Sequence, residues 1–396
     1  MKQKKKLLVT ASTFPRWEGD TEPRFVLDLS RHMTEKYDVT VLAPAAPGAK
    51  DKEILEGVNI IRYHYFPIHK WESLCYPGAI VPRIKEKKIR AVLVPFLIAS
   101  LYINLLKLLP QFDIVHAHWL IPQGIVQSFF KKPYIVTGHG GDVMSLNNGM
   151  FRILKIRCLK RAQNVTVVSE YLKNKVKELV PEIEPNVISM GVDTSKFGKK
   201  YAVSNYFEQE GKKVILFVGR LAEVKGVEYL IEAMREIDAL LVIVGEGPLK
   251  KKLEQQAEKI NNNIGWKKIK FLGSKTHEEL NTIYASADIF VMPSVTAKDG
   301  AKEGFGLVML EAMSSGLPIV ASDSGGISQL IQDGENGFLF EEKNVEQLIK
   351  CIKCLLTDDN LYNRVVENGK RTINYYDYTR IAKEYEVLIN NECTIG

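Results

Sequence analysis

Cysteine is scarce in this chain: five among 396 residues, Cys75, Cys158, Cys351, Cys354 and Cys393, odd in number and scattered. That argues against a disulfide framework and for a reducing compartment. Cys351 and Cys354 stand three apart inside the apolar run 348–356, with no second Cys or His pair nearby, so they read as helix packing rather than half a zinc site. Other metal patterns are missing too. No helix-like stretch carries His-x-x-x-His, and no Asp-x-Asp stands at a strand end to hold magnesium on a diphosphate. No short-period repeat or low-complexity tract occurs. The apolar run 7–11 behind the basic start is cut by Thr13, Phe14, Pro15 and Arg16, too short for a signal-peptide core, and is expected to be a first strand behind a charged leader.

What is present is ordinary globular composition, 45% hydrophobic and 26% charged, in a chain too long for one compact core. Strand-length apolar runs at 7–11, 39–43, 59–63, 114–116, 134–137 and 165–168 alternate with helical segments. A second series follows at 214–218, 240–244, 269–272, 289–292 and 319–321. Such alternation predicts an α/β chain of two Rossmann-like, doubly wound domains facing a cleft. The stretch 193–213, rich in Lys, Gly, Ser and Asn, is the expected linker. We therefore expect a first domain over 1–200, a second over 201–375, and a last helix, 376–396, packing back on the first.

In open parallel sheets ligands bind beyond the carboxyl ends of the strands. The run 214–218 is followed by Gly219, Arg220 and, at a helix start, Lys225. Gly219 allows a tight turn, while a forked guanidinium and a point-charge ammonium suit a diphosphate. A solvated loop with ordinary surface cations is the plain alternative. Further on, Glu303-Gly304-Phe305-Gly306-Leu307 runs into a helix through Glu311, so the helix N-terminus offers an anion site. On a helical rise, Glu303 and Glu311 lie about 12 Å apart. That interval matches a hexose and a ribose joined by a diphosphate. In the first half, His116-Ala117-His118-Trp119 and His139-Gly140-Gly141-Asp142 follow strand-like runs, placing two histidines where they contact a sugar or serve the packing.

Taken jointly, these motifs resemble the family 4 glycosyltransferases, retaining enzymes with two Rossmann-like domains, the GT-B fold. The likeness runs from Thr13-Phe14-Pro15-Arg16 through the two histidine segments, the 190–197 junction and 219–226 to 303–321, and is most specific in the second half. It implies that Arg220 and Lys225 bind the diphosphate of a UDP- or GDP-sugar, that Glu303 with the backbone of Phe305 and Gly306 holds the sugar, and that Glu311 holds the ribose. Gly219 and Leu307 complete the donor site. His118 and His139 match positions that contact sugar or acceptor. The resemblance further implies catalysis with no cofactor, no essential metal and no protein nucleophile. Two departures stand out. The first loop, 13–20, has a single Gly19 where paired glycines are common, and the junction reads Ser189-Met190-Gly191-Val192-Asp193 instead of Pro-Asn-Gly-Val-Asp. A sugar-nucleotide epimerase of the same fold or a non-catalytic nucleotide-sugar sensor are the alternatives.

Charge is uneven. Through Ser204 there are 31 Lys and Arg against 18 Asp and Glu, a net +13 that leaves −6 for the rest. Without aromatic-interleaved basic motifs, and with an acidic second half, a nucleic-acid partner is excluded. Five of the eight residues 83–90 are basic, and 91–109 is apolar apart from Ser100, Asn104 and Lys107. This segment reads as a membrane span, a buried helix behind the sheet, or a helix docking on an anionic membrane. The expectation drawn is a cytoplasmic protein, peripheral on the inner face of the cytoplasmic membrane, with a glycan or lipid-linked acceptor.

Overall fold

The computed structural model describes residues 4–208, 211–264 and 266–390. Cys393, the start of the basic leader and the last six residues of the expected C-terminal segment lie outside the described residues. The chain divides into two compact units, Met1–Met190 with Tyr378–Gly396, and Gly191–Asp377.

The first unit carries eight strands: β1 (Lys5–Thr10), β2 (Tyr37–Pro44), β3 (Lys52–Leu55), β4 (Val58–Tyr63), β5 (Ile114–His118), β6 (Tyr134–Gly138), β7 (Asn164–Val167) and β8 (Asn186–Val187). Their order is β3-β4-β2-β1-β5-β6-β7-β8, parallel throughout except for the β3–β4 hairpin. Parallel strands covered on both faces need apolar residues at nearly every position, which is why β6 is buried along its whole length. The sheet reverses its winding between β1 and β5.

The second unit holds β9 (Val214–Val218), β10 (Leu240–Val244), β11 (Ile269–Gly273), β12 (Ile289–Met292), β13 (Ile319–Ser322) and β14 (Phe338–Phe340). The order β11-β10-β9-β12-β13-β14 is the dinucleotide-binding order, with its switch point between β9 and β12. Helix starts are encoded locally. Thr276 and Glu279 form a reciprocal capping box on the helix His277–Ser286, and Asn344 and Asp358 cap the two helices that follow them.

The division falls at Met190, not at 200, and 193–213 is not a free linker. Val192 N–H donates to the Tyr376 carbonyl at 2.8 Å and Thr194 Oγ1 to Asp377 Oδ2 at 2.7 Å. The Lys199 ammonium closes the end of the helix His277–Ser286 by donating to the carbonyls of Ala285 and Ala287. A polar composition that suggests a linker is here a set of ties to the second core. The helix Tyr378–Asn390 belongs to the first unit, where Tyr378 stacks on His32 and Tyr385 is fully buried. Of the strands that do not stand out as apolar runs, β8 and β14 have only two and three residues, and β3, Lys52–Leu55, begins with two charged ones.

Candidate active site

Both sheets place their polar groups at the switch point. In the second unit the β9 exit is stitched to the β12 exit: Val295 N–H donates to the Val224 carbonyl at 2.9 Å, and Gly226 sits so near Pro293 that a methyl group would lie 1.9 Å from its carbonyl oxygen. Only glycine fits there. This brings Lys225 to Glu303, and the two form an ion pair with side chains 17% and 15% exposed. Arg220 is exposed one residue past Gly219 at the same exit.

Glu303 is held from behind as well. Its carbonyl accepts the Gly326 N–H at 3.0 Å, and Gly325, at φ +61°, passes so close that a methyl group would sit 2.2 Å from that oxygen. Phe305 is buried, its ring 5.6 Å from that of Tyr376. Gly306 caps the helix Leu307–Ser314, and the Met309 N–H of its first turn donates back to the Gly306 carbonyl at 2.9 Å. The helix begins only at Leu307, so the helical-rise estimate of about 12 Å for Glu303 to Glu311 does not hold, because four residues of that interval are loop. Glu311 sits in the second turn and accepts the hydroxyl of the fully buried Tyr284 at 2.8 Å.

Two supports escape sequence reasoning. Glu342, just past β14, accepts from Thr296 N–H and Oγ1 at 2.7 and 2.8 Å and from Ser324 Oγ at 2.5 Å, with Lys302 at 3.7 Å. It ties the loop before Glu303 to the loop after β13. Burial pushes its pKa up, but the hydrogen bonds from Ser324 and Thr296 outweigh this and leave it lowered. In the first unit, Arg16 orders the 13–20 loop. It forks onto Asp20 at 2.7 and 2.9 Å and lies over the rings of Trp17 and Tyr76, while buried Arg62 donates to the Pro15 and Arg16 carbonyls. Neither glutamate nor arginine in such loops has a sequence signature.

The β5 and β6 exits bring His118 and His139 together, Nδ1 to Nε2 at 3.0 Å, beside the Phe25 and Trp119 rings. His116 Nε2 meets Thr137 Oγ1 at 2.7 Å, and Thr137 in turn meets Thr166 and Tyr385. Burial holds all three histidines neutral, His116 and His139 pushed down to about 3 and His118 well below its ordinary value, with neighbouring histidines lowering His118 and His139 further. A neutral pair can share one hydrogen between the facing nitrogens, which two imidazolium rings cannot. His118 is fully buried, and its Nε2 has no hydrogen-bond partner among the described residues. The Asp142 carboxylate accepts from the N–H groups of Leu120, His139 and Gly140, fixing both strand exits at once. Lys155, fully buried and pushed down to about 8 by burial, donates to the carbonyls of Val143 and Ser145 and to Asn147. Among the described residues no three His, Cys, Asp or Glu side chains gather as a metal ion would require.

Two doubly wound parallel sheets, each with charged or neutral polar groups at its switch point, define the GT-B class. Residues 23–196 match the family described as Glycosyltransferase Family 4, and 202–372 match Glycosyl transferases group 1. An uncharacterized glycosyltransferase, MJ1178, of Methanocaldococcus jannaschii is 29% identical over 85% of this chain and 93% of its own length. A second from that organism, MJ1607, is 30% identical over 69% of this chain and 74% of its own. In fold, the chain is similar to Anabaena HepE, solved with UDP and glucose, with a TM-score of 0.72, 19% identity, and 98% and 100% of the two chains covered. The chain belongs to glycosyltransferase family 4 and is a glycosyltransferase of the GT-B fold.

Proposed function

We propose that the chain is a retaining, metal-independent hexosyltransferase that moves a sugar from a UDP- or GDP-sugar to a glycan or lipid-linked acceptor in polysaccharide biosynthesis. The observation that carries the reading is the meeting of Lys225 and Glu303 beside the helix start at Leu307. A cation and an anion-binding helix end suit the diphosphate, and the adjoining carboxylate suits sugar hydroxyls. The HepE complexes with UDP and UDP-glucose support such a donor.

In this reading the acceptor oxygen attacks the anomeric carbon as the bond to the diphosphate breaks. The diphosphate leaves with the electron pair, neutralised by Arg220 and Lys225, and its oxygen takes the acceptor proton on the same face. Charge stabilisation and positioning supply most of the rate. Neutral His118 and His139 offer hydrogen bonds to sugar or acceptor rather than charge to phosphate. Glu311, oriented by Tyr284, serves the ribose. The four described cysteines are all free, which supports a cytoplasmic site of action.

The test is a thermal-shift screen of UDP-, GDP- and ADP-sugars followed by turnover in the presence of a chelator. A donor at a hundred times its dissociation constant stabilises by about 2.7 kcal/mol. Transfer with retained anomeric configuration, undiminished by chelator, is expected. An altered sugar without an acceptor identifies an epimerase, and binding without turnover a sensor.

A further inference from the structure

The apolar segment before β5 is a helix, Leu93–Leu108, that divides its hydrophobic residues between two faces. Leu93, Leu97, Leu101 and Leu105, four apart, are all buried and fasten it to the first unit. Ser100 Oγ adds a hydrogen bond to the His64 carbonyl at 2.7 Å. The opposite face repeats at intervals of three and four, Phe96, Ala99, Ile103 and Leu106, and it is exposed, Leu106 at 58%. A helix apolar all round is expected to be covered on all sides. Here only one side is.

The patch does not end with the helix. Phe66 packs against Phe96 at 4.9 Å and against Trp71 at 5.9 Å, and Trp71 is itself 55% exposed. Lys70 adjoins Trp71, and Lys87 and Lys88 stand at the start of the 3-10 turn Lys88–Val92 that leads into the helix. All three lysines are exposed and have no acidic partner among the described residues. Cations beside an exposed tryptophan and an apolar stripe are what an anionic bilayer surface takes: acyl chains meet the stripe, the indole sits at the headgroups, and the ammonium groups meet lipid phosphates.

We infer that this face of the first unit docks on an anionic phospholipid membrane, with the helix lying in the interface plane. The segment Lys88–Gln111 is long and apolar enough to cross a membrane by length and composition. Its inner leucines, however, are part of the fold, and pulling them out to span a bilayer would strip the sheet of its cover. A second copy of the chain is the other candidate cover. A two-fold contact sets the same patch against itself, which would put a surface with Lys70, Lys87 and Lys88, none with an acidic partner among the described residues, on both sides of the contact. The proposal holds whichever sugar is transferred and whether or not the reaction reading stands.

Sedimentation of the full chain with vesicles of phosphatidylcholine alone, or with phosphatidylglycerol added, tests it. Binding to the anionic vesicles is expected, weakened about fivefold for each lysine neutralised in Lys87→Gln and Lys88→Gln. Ile103→Ser with Leu106→Ser should lower retention at low and at physiological salt. These positions are exposed, and the lysine variants report even where the apolar ones fail to fold. Absence of binding at low salt overturns the proposal, as does equal binding by wild type and the double lysine variant. A concentration-dependent dimer abolished by Leu106→Ser, without vesicle binding, assigns the face to a second copy instead.

Discussion

Lys225 and Glu303 stand 78 positions apart in the chain and form an ion pair where the β9 exit meets the loop before the helix Leu307–Ser314. Both side chains retain some exposure, so the pair itself is worth at most about 1 kcal/mol to stability. Its weight lies in what each partner can do when a charged ligand arrives. Lys225→Ala is expected to lower turnover about 100-fold or more, as loss of a group stabilising developing charge does, while the urea midpoint shifts little. Glu303→Gln should lower kcat/KM with a similarly small change in midpoint. Steady-state kinetics beside urea unfolding check both, and near-normal rates in Lys225→Ala and Arg220→Ala together would remove the diphosphate clamp.

Tyr284 reaches Glu311 from the neighbouring helix, its hydroxyl donating at 2.8 Å from a fully buried ring. Tyr284→Phe keeps the ring and loses the hydrogen bond. A hydrogen bond to a charged group is worth about 1.5–3 kcal/mol, so the KM for donor should rise about tenfold or more, with kcat changed less if Glu311 binds rather than reacts. An unchanged KM would separate Glu311 from the donor.

Glu342 touches no residue assigned to chemistry, yet it fastens Thr296 and Ser324, which flank the loops on either side of Glu303. Glu342→Ala leaves those donors without their acceptor and should cost about 1–3 kcal/mol in urea unfolding. The looser loop should also cut kcat/KM. Glu342→Gln, which keeps an acceptor oxygen, is expected to recover part of both losses. A stability loss with wild-type kinetics would make Glu342 purely structural.

The histidine cluster makes stability depend on pH. His116 and His139 fall from the ordinary 6.5 to about 3 on folding, so between those values the unfolded chain binds more protons than the folded one. Their contribution is complete above about pH 6.5 and is lost as pH drops toward 3, at up to about 1.4 kcal/mol per pH unit for each ring. His139→Gln removes one such ring and should flatten the acid limb of the urea midpoint against pH. Parallel limbs in wild type and variant would show that His139 titrates alike in both states.

Much of the second unit is legible in the amino-acid sequence. β9, β10 and β12 are uninterrupted apolar runs buried at every position, because a strand covered on both faces must be apolar at both parities. Gly219, Arg220 and Lys225 stand out by following the β9 run, and Glu303 by preceding a glycine-bearing helix start. The short strands and the tie of 193–213 to the second core left no such trace. Lys199 reads as a loop lysine until its ammonium is seen closing a helix end.

By itself the sequence determined the parallel α/β alternation, the places where strands end, and the residue types waiting there, since hydrophobic period and glycine placement are local properties of a chain. It also marked 83–109 as a segment that is basic and then apolar. Which side chains meet was decided only by the tertiary structure: Lys225 with Glu303, Tyr284 with Glu311, His118 with His139, and the choice of buried and exposed faces on the helix Leu93–Leu108. The reason is range. A hydrogen bond or ion pair forms between groups a few ångströms apart, and sheet winding, not chain spacing, brings those groups together.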